Sequence, residues 1–258
     1  MTTTRLQTDK LFQYLLRLAD SNLILSQRLC EMCGSAPSLE EELAISNVSL
    51  DLIGQARNWY EYASELDVLG RSADHLAFRR DSHEFYNLLL VEQHNGNYAD
   101  TITRQFFFDA WHLTILEALQ DSTDARIKGI AGKAVKEASY HLRRSSQWMI
   151  RLGDGTPFSH DKIQASVDQL WRFTGELLTL DDIEISLQKK GIIPSASMVS
   201  QLWKHTVESV LKKATLKLPD YNAWMYLGGK QGEHTEHLGF ILAEMQYLQR
   251  AYPDAKVW

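Results

Sequence analysis

Apolar residues recur every three or four positions along most of the chain, and no stretch alternates apolar with polar residues as a half-buried strand does. The pattern predicts an all-α protein. From Leu11 to Cys33 the run LFQYLLRLADSNLILSQRLCEMC carries one apolar stripe and stops at Gly34, a residue suited to closing a helix. Pro37 and Ser38 open a second helix, with Ser38 and Glu41 at capping-box spacing, and its pattern continues through SNVSLDLIGQARNWYEYASELDVL to Gly70. A third helix is expected from near Asp74 through FRRDSHEFYNLLLVEQ. The turn signal His94-Asn95-Gly96-Asn97 breaks it from a fourth, YADTITRQFFFDAWHLTILEALQ. A fifth begins in the Ser122 to Asp124 region, carries KAVKEASYHLRRSSQWMIRL and ends at the turn from Gly153 to Pro157.

Long helices joined by short connections favour an antiparallel bundle. After Pro157 the predicted helices shorten to SHDKIQASVDQLWRFTGELL, DDIEISLQKKG and a stretch after Pro194 through SQLWKHTVESVLKKATL. An irregular loop, DYNAWMYLGGKQGEHTEHLG, precedes a last helix, FILAEMQYLQRAY. No spacer rich in Pro, Ser or Gly separates the halves, so one domain over residues 1–258 is expected, with a bundle core at about 9–153 and a helical extension at about 157–251.

The 258 residues, 44% of them hydrophobic, suffice for a substantial core. A net charge of -6 gives no general attraction to nucleic acid or to an anionic membrane. No run approaches the ~18 apolar residues of a membrane span, and MTTTRLQTDK lacks the apolar centre of a secretory signal. A cytoplasmic location is expected. Cys30 and Cys33 form a C-x-x-C at a helix end, but there is no βαβ context for a redox motif and no second ligand pair for zinc.

Three polar clusters fall inside helices expected to pack together: Asp109 with His112, Glu137 with His141, and Asp51 with Gln55. Carboxylates and imidazoles pointing inward from facing helices are how bundles hold a di-iron pair, with a Glu from each of two helices and a Glu-x-x-His from each of the other two. KEASYH, Lys136 to His141, almost spells such a half-site, but Ala138 stands where the carboxylate belongs. Glu137, four residues before His141, can turn toward it; it equally suits an ion pair with Lys133, Arg143 or Arg144.

The segments LSQRL, NVSLDLIGQARN, NLLLVEQHNGNYADTITRQFFFDAWH, KEASYHLRRS, LWRFTGEL and GGKQGEHTEHLG, followed by LAEMQYLQR, give the chain a nearly full-length likeness. It resembles the C subunits of the bacterial phenylacetyl-CoA epoxidases, multicomponent ring oxygenases of aerobic phenylacetate breakdown. The resemblance implies a ferritin-like bundle and pairing with a homologous catalytic subunit that carries the di-iron centre. The catalytic subunits' Asp-Glu-x-Gly-His stretch falls on Asp51 to Gln55, so that Leu52 and Gln55 stand at ligand positions. Their Lys-Glu-Glu-x-x-His stretch falls on Lys136 to His141, which puts Ala138 at the bridging carboxylate and keeps His141. The first-helix Glu falls on Asn22 and the third-helix Asp on Asp109. Two of six ligand types survive. The resemblance therefore implies no metal and no catalytic residue in this chain, with Asn22, Gln55, Asp109 and His141 forming a buried polar network.

The loop from Gly228 to His237 has two readings. Its glycines can present backbone N–H groups to an anion such as a CoA phosphate, with Lys230 beside them, and His234 with His237 can bind a metal. Alternatively, the glycines serve a tight turn and Thr235 caps the last helix. Trp203, Trp224 and Tyr226 suit either a protein interface or the core, the core being the commoner use. The expectation is a structural subunit that supports a homologous di-iron partner, in a complex with a small subunit and an NADPH-dependent reductase. A self-sufficient di-iron oxygenase and a CoA-thioester-binding module are the alternatives.

Overall fold

A computed structural model describes residues 2–255, with side chains described from position 10 onward. Among the described residues the regular structure is helical and no strand occurs. The first two predicted helices form as α1 (Thr2–Cys30) and α2 (Leu39–Leu66). α1 ends in a run of i to i+3 turns, with the Met32 N–H on the Leu29 carbonyl and the Cys33 N–H on that of Cys30, before Gly34 reverses the chain at φ 89°.

The third predicted helix does not form as one. It is replaced by α3 (Ala73–Phe78), a 3-10 turn (Ser82–Glu84) and α4 (Leu89–Glu92). Arg80 is the physical reason. Its side chain is 2% exposed, and its guanidinium donates to the carbonyls of Leu76 and Glu84 and to the Asp20 carboxylate. A helix through this point would have to satisfy those carbonyls with backbone N–H groups instead.

α5 (Tyr98–Leu119) and α6 (Ala125–Gly153) follow the predicted pattern. Asn97 caps α5 by accepting from the Ala99 N–H, and Asp124 caps α6 by accepting from the N–H groups of Arg126 and Ile127. α7 (Pro157–Leu170) begins with proline in its first turn after Thr156. The expected continuation to Leu178 breaks into a 3-10 turn (Trp171–Phe173) and α8 (Gly175–Leu178). Then come α9 (Asp182–Gln188), α10 (Ala196–Lys213) and a 3-10 turn (Gly229–Gln231). The last predicted helix starts earlier than Phe240, as α11 (Glu236–Met245), and breaks at Gln246 into α12 (Tyr247–Ala251). At the break, Gln246 Nε2 donates to the Arg80 carbonyl at 3.1 Å.

The chain divides into two compact units: Met1–Ser35, Leu39–Gln93 and Gly228–Trp258 form one, and Ala36–Ser38 with His94–Leu227 the other. The stretch 153–157, where the bundle core was expected to pass into the helical extension of a single domain, lies inside the second. The first unit is built on α1 and α2, which run antiparallel, because Ser26 meets Ser49 while Asp20 meets Tyr60. Its C-terminal segment buries Leu238, Ile241 and Leu242. The second unit is built on α5 and α6, also antiparallel, with Thr103 opposite Met149 and Asp109 opposite Ser145. Its core is aromatic: Phe107, Trp171 and Trp203 lie ring to ring, and the Trp203 indole donates to the Phe107 carbonyl at 3.0 Å.

Candidate functional site

In the second unit α5 and α6 bring Asp109 and His141 together, each 1% exposed. Gln105, one turn before Asp109, donates to its Oδ1 at 2.6 Å, and Ser145, one turn after His141, donates to Oδ2 at 2.7 Å. Burial lifts the Asp109 pKa to about 6, and His141, Ser145, Gln105 and Arg144 together recover only part of that rise. His112 shares the pocket, 4.9 Å from the Phe108 ring. Burial, reinforced by His141, pushes its pKa down to about 3, so it is a neutral imidazole at ordinary pH. Ala138 is 1% exposed and presents only a methyl group, while Glu137 beside it is half-buried.

In the first unit Asn22, Leu52 and Gln55 are all buried, Asn22 on α1 and the other two on α2. The six positions on which the resemblance places metal ligands thus supply one carboxylate and one imidazole. That donor set does not fit a di-iron centre, whose positive charge in a low-dielectric interior needs several carboxylates, some of them bridging. Among the described residues no group of three or more His, Cys, Asp or Glu side chains is placed to hold a metal ion.

The 228–237 loop is committed to the first unit's own structure. Gly228 and Gly232 take φ of 131° and 84°, and a Cβ on Gly232 would lie 2.3 Å from the His83 carbonyl oxygen. Lys230 is 7% exposed, and its carbonyl accepts from Arg17 Nη2 at 3.1 Å. His234 has Nδ1 2.8 Å from Glu92 Oε2 and Nε2 2.9 Å from the Phe85 carbonyl, which leaves neither nitrogen's lone pair for a metal. His237 is half-buried. Thr235 occupies the N-cap position of α11, yet its hydroxyl does not cap. Both its N–H and its Oγ1–H donate to Glu92 Oε1 at 2.7 Å, because satisfying a buried carboxylate outweighs one helix-end N–H. Of the aromatic candidates, Trp203 is core, whereas Trp224 is 69% exposed and packs edge-on against Tyr226. Cys30 and Cys33 are exposed free thiols near the hydroxyls of Ser49 and Ser46.

Two ionic clusters in the first unit escaped sequence reasoning. Glu92, fully buried, accepts from His234, Thr235 and Asn87. Asp20, also fully buried, accepts from Arg80, Tyr60 and the Tyr86 N–H. The visible signal was a charge inside an apolar run, Glu92 in NLLLVEQ and Asp20 in LLRLADSNLIL.

Antiparallel pairs of long helices, α1 with α2 and α5 with α6, define an all-α, ferritin-like protein. The chain belongs to the phenylacetic acid catabolic protein family, whose model matches residues 1–258. Over 245 residues, 95% of this chain and 98% of the relative, it is 51% identical to the C subunit of the 1,2-phenylacetyl-CoA epoxidase of Escherichia coli (strain K12). Among the described residues no helix is long and apolar enough to cross a membrane.

Proposed function

We propose that this chain is a non-catalytic structural subunit of a phenylacetyl-CoA ring-epoxidising complex in aerobic phenylacetate breakdown, holding and supporting a homologous subunit that carries the di-iron centre. The observation that carries this reading is the pair Leu52 and Ala138, both fully or almost fully buried at positions where an iron pair requires carboxylates. Neither side chain has a donor atom, and the oxygens of Asp109 are already engaged by Gln105 and Ser145. On this reading the complex takes O₂ and electrons from an NADPH-dependent reductase, works in the cytoplasm and includes a small further subunit. The chemistry belongs to the partner.

Expression of the chain alone and together with the suspected catalytic subunit tests this, with iron, thioester binding and ring oxidation measured on each. Activity and iron in the pair, with neither in the isolated chain, are the expected results. Iron with turnover in the isolated chain would establish a self-sufficient oxygenase instead. Tight thioester binding without iron would establish a CoA-thioester module and overturn the structural role.

A further inference from the structure

Cys30 and Cys33 are the only cysteines of the chain, and the functional reading above makes no use of them. Both thiols are free and exposed. Cys30 closes α1, and the Cys33 N–H donates to the Cys30 carbonyl at 3.0 Å, so a single i to i+3 turn separates the two residues. Helical geometry over that span sets their Cα atoms about 5–6 Å apart, inside the range that a disulfide bridges. Among the described residues no group of three or more His, Cys, Asp or Glu side chains is placed to hold a metal ion, so the pair is not half of a zinc site.

The direction of the two side chains is fixed by α2. Cys30 Sγ lies 3.0 Å from Ser49 Oγ, and Cys33 Sγ lies 3.4 Å from Ser46 Oγ. Ser46 and Ser49 are three positions apart on α2 and share one face of it. Both sulfurs therefore lie along the same strip of that helix, side by side rather than on opposite sides of the turn. Each hydroxyl commits its own proton elsewhere: Ser46 donates to the Glu42 carbonyl at 2.8 Å, and Ser49 to the Ser26 carbonyl at 3.1 Å. Toward the sulfurs both serines are acceptors and the thiols donate. Loss of the two thiol protons thus leaves no serine donor without a partner. The turn is pinned on its far side as well, where Gly34 reverses the chain at φ 89° and its N–H donates to Glu42 Oε1 at 2.5 Å.

We propose that Cys30 and Cys33 form a redox dithiol, oxidised by small-molecule disulfides such as oxidised glutathione to a reversible bridge across the last turn of α1. The thiolate of one cysteine attacks a sulfur of the small disulfide. That S–S bond breaks, a mixed disulfide forms, and one small thiolate leaves and takes up the proton the cysteine lost. The second cysteine, deprotonated in turn, attacks the mixed disulfide at the first cysteine's sulfur. The Cys30–Cys33 bond forms, and the second small thiol leaves with the remaining proton. Two protein thiols are oxidised and one small disulfide is reduced to two thiols, with no net change in protons. A C-x-x-C used in this way needs no thioredoxin framework: it needs two accessible sulfurs within bridging distance and a disulfide to react with. The bridge ties the end of α1 to the reversal at Gly34 that leads to α2. It does not depend on the structural-subunit reading.

Oxidised glutathione added to the reduced full-length chain, followed by alkylation of the remaining thiols and measurement of the intact mass, tests the proposal. The expected product is about 2 Da lighter than the reduced chain, carries neither an alkyl group nor a glutathione, and regains two alkylatable thiols in dithiothreitol. Cys30→Ser and Cys33→Ser, each without the second sulfur and each with an unchanged circular dichroism spectrum, should stop at the mixed disulfide and carry one glutathione. In the wild-type chain that adduct should be at least about tenfold scarcer than in either variant, because the neighbouring cysteine displaces it. A wild-type chain that carries two glutathiones overturns the proposal, as does one whose thiols both stay alkylatable while the single variants are glutathionylated. Oxidation only to a dimer linked between two chains overturns it too. Thiols that remain alkylatable in the wild type and both variants alike also overturn it, since the sulfurs would then not react with a disulfide at all.

Discussion

His234 sits between the Glu92 carboxylate and the Phe85 carbonyl, both acceptors, so the geometry calls for a proton on each ring nitrogen. Burial opposes that charge, but Glu92, the Phe85 carbonyl and the more distant Asp20 outweigh it and hold the pKa above its ordinary value. A raised folded-state pKa contributes stability that is fully present below the unfolded value near 6.5 and is lost as pH rises through the folded value. Urea melts across that window should therefore show stability falling with pH, and His234→Gln should remove that part of the slope. His234→Ala should cost about 3 kcal/mol below pH 6, because Glu92 stays buried with a cationic partner gone. Asp109 has the same sign with a different origin. Its pKa of about 6 exceeds the unfolded value near 4, so the folded state is penalised once the carboxyl ionises. Asn in its place still accepts from Gln105 and can donate to Ser145, so Asp109→Asn should be neutral at pH 4 and stabilising at pH 8, as read by melting temperature.

At the scale of elements, the long helices were legible because their apolar period is unbroken and their ends carry chemistry of their own: Asn97 and Asp124 at two starts, Gly34 past one end. The break between Phe78 and Leu89 was not legible, for a reason that lies outside the segment. Arg80 abandons the helix because Asp20, sixty positions earlier and buried on α1, holds its guanidinium. The periodicity of LAFRRDSHEFYNLLLVE carries no trace of that partner. Removing the cation leaves Asp20 buried against Tyr60 and the Tyr86 N–H alone. Arg80→Leu should accordingly destabilise the protein by about 3–5 kcal/mol. Arg80→Lys should recover little of this, since a point charge cannot reach two carboxylate oxygens and two carbonyls at once. Chemical denaturation of the two variants side by side measures the difference. The candidate site divides along the same line. Leu52 and Ala138 are apolar residues within the helical period, and their burial could be read from the sequence; the engagement of His234 and Thr235 by Glu92, about 142 positions away, could not.

For the molecule as a whole, that distant engagement decides which parts of the chain stand or fall together. The segment Gly228–Trp258 belongs to the same compact unit as α1 through α4, although the 94–227 stretch of the other unit separates them in sequence. What ties it there is polar as well as apolar: His234 and Thr235 satisfy Glu92, the Lys230 carbonyl accepts from Arg17, Arg250 reaches Asp81 at 2.7 Å, and Leu238 and Ile241 are buried. Ending the chain after Leu227 would strip the Glu92 carboxylate of His234 and Thr235, leaving it Asn87, and expose the apolar face that α11 covers. The second unit keeps its own helix pair, its aromatic core around Trp203 and its capped helix starts, all built from residues within 94–227. Limited proteolysis of such a truncated chain should therefore cut first within residues 39–93 and leave a protected fragment spanning residues 94–227. Equal cleavage in both regions would mean that the two units depend on each other for stability, and that the C-terminal segment does more than complete the first.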